Sequence, residues 1–397
     1  MTILKKYWIF IALPLLVVIV SLVAIRIINS IDYHNNDFFT FWLAGHMVTL
    51  GGNPYAPVQW VAGHHEFGVT WIPNQAYVYP LPLSLLFAPL GLLPLKQAYT
   101  LWVALSELMI LATLVLLLAA RAGSRFGKVF LPLLVGMIFF RPTILTLFNG
   151  QISGLLLLLL TGTIFLWEKG KWEWGSLFLP LLMLKPNLGA PILALVGIWL
   201  LFQKRYKPIL VIASGLLALL VIGLLQNPHW ISDYWSIGNN KLVENFGGSP
   251  TVWGLGYLVC GHNSACTLAV GGIAGLLFLF AFLWLVLPRR DDISALRLVA
   301  LAATVTLLIT PYTWTYDQLL IVLPIVDITL ALDKNGYRFT LVSSLFLGLD
   351  ILVVILLILD AILNVEILNA VVPILILGLY ASVGALWMRK ITQPVME

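Results

Sequence analysis

Charge is what this chain has least of: 10% of its 397 residues are Asp, Glu, Lys or Arg, against 61% that are apolar. That shortage cannot be divided between an ordinary core and an ordinary wetted surface, so it excludes a soluble fold and implies an integral membrane protein. Motifs are scarce as well. No Gly-rich loop ends in Lys-Ser/Thr, and there is no dinucleotide fingerprint, HExxH helix or CxxC pair. His64-His65-Glu66 invites a metal reading, but adjacent histidines rarely converge on one ion without help from elsewhere, so neither a metal nor a cofactor is expected. The only cysteines, Cys260 and Cys266, flank Gly-His-Asn-Ser-Ala. That spacing permits a local disulfide and equally permits two free thiols.

What is present is long apolar segments. The first, roughly Tyr7 to Asn29, follows Lys5-Lys6 and exceeds the roughly 20 residues a bilayer demands, so it reads as an anchor and not a cleaved leader. Further spans are read near 97–120, 129–147, 151–167, 208–226, 267–287, 293–310, 318–332, 340–360 and 370–388. The stretch 174–203 is broken at Lys185-Pro186-Asn187 and reads as two short helices that enter and leave from one side. The expectation is an all-α polytopic bundle of about 12 membrane segments forming one membrane domain over 1–397.

Charge placement orients the bundle. Sixteen of the 22 basic residues, from Lys5, Lys6 and Arg121 to Arg389 and Lys390, fall on one face of this map, which is therefore read as cytoplasmic with both termini on it. The formal charge of +5 is explained by these caps, and no aromatic platform around them suggests nucleic acid. All six histidines and the acids Asp32, Asp37, Glu66, Asp233, Glu244 and Asp317 map to the opposite face, with seven of the fifteen tryptophans. An interfacial aromatic belt over solvated loops accounts for many of these individually, but their uneven sharing points function outward.

The first outer loop, 30–96, is the densest. Phe38 to Leu50 has helical spacing and is stopped by Gly51-Gly52-Asn53-Pro54-Tyr55, as a short helix lying in the interface would be. Asp37 stands at its start, where it can cap the helix or act as a general base on a substrate at the membrane surface. Prolines at 80, 82, 89 and 94 discourage a continuous span after Tyr79 and favour a rigid platform. A second outer loop, 227–266, carries Trp230, Asp233, Tyr234 and Trp235, which suit either acceptor sugar binding or an amphipathic interfacial helix.

Deeper in the chain, Lys185 in a helix break and Arg141 in Phe139-Phe140-Arg141-Pro142 are intramembrane cations, which mark function unless they snorkel to an interface. Gln151 opens a span beside Asn149-Gly150, where its amide could bind sugar hydroxyls or cap the helix. Asp317 could hold a sugar hydroxyl, pair with a cation or cap. Asp327 and Asp350 fall within apolar segments, where pairing inside the bundle is the default.

Asp37 with its aromatic helix, Gly51 to Tyr55, Tyr79-Pro80-Leu81-Pro82, Asn149-Gly150-Gln151, Lys185-Pro186 and Thr310-Pro311-Tyr312-Thr313-Trp314 together resemble glycosyltransferase family 87, within the C-type (GT-C) superfamily of polytopic glycosyltransferases. The resemblance spans about residues 30 to 320. It implies transfer of a sugar, typically mannose, from a polyprenyl-phosphate donor to an acceptor hydroxyl of a lipid or glycan on the outer face of the plasma membrane. Asp37 would be the base of an inverting attack. Lys185 and Arg141 would hold the donor phosphate, and Tyr79, Gln151, Trp314, Tyr316 and Asp317 would line the substrate. The chain departs from the family pattern at Tyr316, which occupies an expected histidine position; a phenol cannot carry a proton at neutral pH as imidazole can. A lipid or solute transporter of the same membrane is the rival reading, since broken helices and buried charges also serve transport.

Overall fold

Leu-, Ile- and Val-rich stretches must satisfy their backbone within themselves in a bilayer, which favours helix. The computed structural model describes residues 15–16, 18–70, 72, 74–123, 126–244, 246–261, 263–334, 339–363 and 366–391, and all of its regular structure there is helical. Lys5, Lys6, the start of the first expected span at 7–14, Trp71, Arg125, His262 and Arg338 lie outside the described residues.

In chain order the helices are α1 (Val18–Ile28), α2 (Asp37–Thr49), α3 (Pro57–Glu66), α4 (Leu81–Gly91), α5 (Leu95–Arg121), α6 (Phe126–Phe139), α7 (Arg141–Phe148), α8 (Ser153–Glu168) and α9 (Trp172–Ser176). They continue as α10 (Pro186–Phe202), α11 (Tyr206–Gln226), α12 (Trp230–Glu244), α13 (Val252–Val259), α14 (Ser264–Val286), α15 (Ala295–Ile309), α16 (Val322–Lys334), α17 (Phe339–Leu363) and α18 (Val371–Ile391). Short 3-10 helices at Leu179–Leu184 and Thr315–Ile321 precede α10 and α16.

Among the described residues, four helices are long and apolar enough to cross a membrane, or five if α6 and α7 count as one span bent by 57°. This is fewer than the twelve segments read from hydropathy. Several expected spans are helices of 15 to 17 residues, namely α8, α10 and α15. α8 and α15 are largely enclosed by protein, where a helix can stop at membrane depth without exposing its end to lipid. α15 is buried on nearly every residue, because Ala and Thr at 300, 302, 303, 304 and 306 let neighbours approach on all sides. α11 and α14 carry large exposed side chains such as Leu210, Leu225, Leu276 and Phe280, as peripheral helices should.

The segment around Lys185 is a hairpin. Arg205, beyond α10, lies over the Trp172 ring at 3.8 Å, so the chain returns to the end of the bundle from which it left. The outgoing leg of 13 residues matches the 17-residue α10 in reach because its 3-10 turns rise further per residue. Lys185 sits at the tip, and the turn is tight enough that a Cβ on Gly189 would strike the Leu182 carbonyl. The two ends of the bundle differ in chemistry. Arg121 pairs with Glu168 at 3.2 Å and Lys169 lies over Phe165 at the far end of α8, whereas the start of α8 faces the first loop.

The first loop forms its own hydrophobic cluster around Phe38, Phe41, Trp42, Tyr77, Phe87, Tyr99 and Trp102. α2 is present as expected, and ten of its thirteen residues are buried, packed against α3, α4 and α5. A helix apolar all round buries all round. α2 crosses α4 at Gly45 and Gly91, where a Cβ on either would come within about 2.6 Å of the other helix's backbone. Of the four prolines, Pro80 and Pro94 precede α4 and α5, whereas Pro82 lies in the first turn of α4 and Pro89 within it.

Candidate functional site

The helix-capping reading of Asp37 is corrected by its neighbour. Asn36 caps α2, its Oδ1 accepting from the Phe38 amide at 2.9 Å, while Asp37 is the first helical residue. Asn36 is itself held by Tyr99, whose hydroxyl donates to the same Oδ1 at 2.8 Å, and by the Phe148 carbonyl at 2.6 Å. The carboxylate of Asp37 is thereby free of capping and turns toward α8.

There it accepts a 2.7 Å hydrogen bond from Gln151 Nε2. The other end of that amide, Oε1, accepts from Lys185 Nζ at 3.3 Å, and Lys185 Nζ meets Asp317 Oδ1 at 2.5 Å. Asp317 Oδ1 also accepts from Ser153 Oγ at 2.8 Å, and Asp317 Oδ2 from the Trp314 amide at 3.3 Å. Four elements distant in sequence thus contribute one continuous chain: Asp37, Gln151, Lys185, Asp317. Local signals place each. Gly150, at φ +60°, makes the turn into α8 against Phe38 and Tyr99, and its carbonyl accepts from Trp102 Nε1 at 2.8 Å. The Lys185-Pro186 break exposes the lysine head at the hairpin tip, and Asn187 fixes that tip by donating to the Tyr312 carbonyl at 3.0 Å.

Burial grades across the chain. Gln151, Lys185 and Asp317 are buried, whereas Asp37, Tyr79, Tyr312, Trp314 and Tyr316 are partly exposed. The accessible face is therefore an aromatic rim with one carboxylate, backed by a buried ion pair. The Lys185 ammonium lies 4.7 Å from the Tyr316 ring centroid, a cation–π contact made by the residue that replaces the expected histidine. Burial raises the pKa of Asp37 above the ordinary carboxylate value; the Gln151 bond and the Lys185 charge oppose the rise, and the Asp317 charge adds to it. Tyr79 lies against Gln151, and burial with the nearby Asp37 charge pushes its phenol up, so it stays protonated.

The remaining sequence candidates sort differently. Gln151 does not turn its amide outward to sugar hydroxyls, because it is buried and bonded at both ends. Asp317 both pairs with a cation and closes the local turn, its amide donating to the Trp314 carbonyl at 2.9 Å. Arg141 lies at the α6–α7 bend and donates to Asn369 Oδ1 at 3.3 Å, outside the Asp37 chain. In the second loop, Trp230 and Tyr234 pack on the first-loop cluster, Asp233 accepts from Asn227 at 3.3 Å, and Trp235 is exposed. Cys260 and Cys266 form a disulfide. Of the two adjacent histidines, His64 is buried against Trp60 and Phe39 while His65 is exposed, and no group of three His, Cys, Asp or Glu residues gathers among the described residues.

Sequence reasoning missed Asn36, Ser153 and Glu366. Glu366 Oε2 accepts from the Thr315 amide at 3.1 Å and hydroxyl at 2.7 Å, so it caps the 3-10 helix that carries Tyr316 and Asp317. Asn36 had a signal, a residue of good capping type before an apolar helix. Glu366 had none, since its partner lies 51 residues away.

The sequence profile of glycosyltransferase family 87 matches residues 77–311, more than half of the chain. No curated protein and no solved structure matches it.

Proposed function

We propose that the chain, which belongs to glycosyltransferase family 87, moves a hexose, mannose or a close relative, from a polyprenyl phosphate to a hydroxyl of a lipid or glycan, with Asp37 as general base. Membership of the family makes it a membrane glycosyltransferase and sets aside the transporter reading. The observation that carries the rest is the partly exposed Asp37 carboxylate, wired through Gln151 to the buried Lys185–Asp317 pair.

The chemistry follows from that arrangement. The acceptor hydroxyl loses its proton to Asp37 as its oxygen bonds the anomeric carbon, and the bond from that carbon to the donor phosphate breaks on the opposite face, inverting the centre. Polyprenyl phosphate departs with the electron pair. A carboxylate whose pKa is raised by burial is a better base near neutral pH than an ordinary one. Tyr79, Trp314 and Tyr316 offer ring faces and hydroxyls to the sugar.

The departing phosphate needs positive charge. Lys185 is the cation bonded into the Asp37 chain, and contact with phosphate requires its ammonium to share or exchange the Asp317 bond; Arg141 is the second candidate. Loop 30–96 is then the catalytic loop, on the extracytoplasmic face of the plasma membrane, with both termini cytoplasmic. The gathering of Arg121, Lys169 and Arg205 at the opposite end of the bundle supports that orientation.

The test is sugar transfer by purified protein in lipid vesicles, using a panel of polyprenyl-phosphate sugars and membrane-lipid acceptors. Transfer that vanishes in folded Asp37→Asn supports the reading, and transfer at wild-type rate in that variant removes Asp37 from the chemistry.

A further inference from the structure

We infer that Gln151 is a positioning residue for Asp37: its buried amide clamps one carboxylate oxygen and links the base to Lys185, leaving the other oxygen to take the proton. The inference rests on the reading of Asp37 as base.

The amide's two ends can be told apart by chemistry. An ammonium only donates and a carboxylate only accepts, so a single orientation of the Gln151 side chain satisfies both neighbours: oxygen toward Lys185, nitrogen toward Asp37. Gln151 has 0% exposure, and its backbone is fixed by a 2.9 Å bond from its amide to the Thr146 carbonyl. Its burial leaves no exposed amide surface for a sugar hydroxyl to reach. The arrangement is also polarised in one direction, from the ammonium through the amide to the carboxylate, so each bond strengthens the next.

The groups that face Asp37 from the surrounding elements are Lys185 at the hairpin tip, Asp317 and Tyr316 on the 3-10 helix, Tyr79 before α4 and Tyr99 on α5. Asp317 opposes ionisation of Asp37, and the Gln151 bond favours it. Replacing Gln151 by a residue of equal length that cannot bond therefore shifts Asp37 toward its protonated form.

The experiment is an infrared pH titration of the protonated carboxyl stretch in lipid vesicles, assigned to Asp37 by its loss in Asp37→Asn, for wild type, Gln151→Met and Gln151→Glu. Gln151→Met should bind that proton about tenfold more tightly than wild type. Gln151→Glu, which sets a second carboxyl against Asp37, should bind it at least as tightly, with Asp37→Asn made in the same background for assignment. Transfer assays with the most active donor and acceptor should show the acid limb moving upward by the same amount, with the acceptor KM within about twofold of wild type. Unmoved titrations in both variants would overturn the inference, as would a raised acceptor KM with an unmoved acid limb, which is the signature of a sugar contact. If Asp37→Asn transfers normally while the Gln151 variants shift the titration, the clamp stands and the base assignment falls. If Asp37→Asn is inactive and the titrations do not move, the base stands and the clamp falls.

Discussion

Two buried carboxylates, Asp317 and Asp327, sit on one stretch of chain, ten residues apart, and their ion pairs are built differently. Asp327 on α16 is gripped by Arg297 through two bonds of 2.9 and 3.4 Å and accepts a third, at 3.1 Å, from the Tyr380 hydroxyl. Asp317 is held by Lys185, and that ammonium also binds Gln151, which reaches the partly exposed Asp37. The guanidinium fork matches a carboxylate and closes on it, whereas an ammonium is a point charge with donors to share. The first pair holds helices together at the basic end of the bundle. The second runs from buried residues to a partly exposed carboxylate, as the catalytic role proposed for Asp37 requires and a structural strut does not.

The largest expected effect separates the accessible end of that connection from everything else. Asp37→Asn should lower transfer by about 10²- to 10⁴-fold with an unchanged melting profile, the usual range for loss of a general base. Substituting the cations tests the comparison itself. Lys185→Met and Arg297→Met each leave a buried carboxylate unpaired and should each cost about 3–5 kcal/mol of stability, read as lowered melting in lipid. Only Lys185→Met should also lower the rate per folded molecule; a folded Arg297→Met protein that loses transfer would dissolve the distinction.

A smaller effect lies in pH. Because the folded-state pKa of Asp37 is raised, the protonated form favours folding, so this contribution to stability is full below the ordinary carboxylate value and is lost as pH rises through the raised one. With Asp37 as the proposed base, transfer should rise through the same window as its carboxyl ionises. Asp37→Asn should flatten the stability trend, which a pH series of melting curves would show. The smallest change is at the ring over Lys185. Tyr316→Phe keeps the cation–π contact and should leave transfer within about threefold, whereas Tyr316→Leu removes a contact worth about 0.5–2 kcal/mol and should fall further.

Much of this was legible in the residues. Asp37, Lys185 and Asp317 stood out because charge is scarce and costly in such a chain, and the break at Lys185-Pro186 read directly as a hairpin. Pairing of Asp327 within the bundle followed from the same cost. The bond that joins Asp37 to Gln151 spans 114 residues, and the one joining Lys185 to Asp317 spans 132. No local pattern encodes contacts at that separation. Hydropathy reports apolarity and not whether a segment faces lipid or the interior of the protein, so the short enclosed helices α8 and α15 read in the sequence like the longer ones.

Composition and the long unbroken apolar runs together determined a helical membrane protein, since such runs satisfy their backbone groups within one helix whereas barrel strands alternate apolar and polar residues, and they marked the few ionisable side chains within apolar segments as exceptional. Only the tertiary structure decided that Asn36 and not Asp37 caps α2, that Gln151 faces inward, and that Lys185 is neutralised by Asp317. Those outcomes depend on which helix ends meet at the hairpin tip, and that is set by packing over the whole bundle.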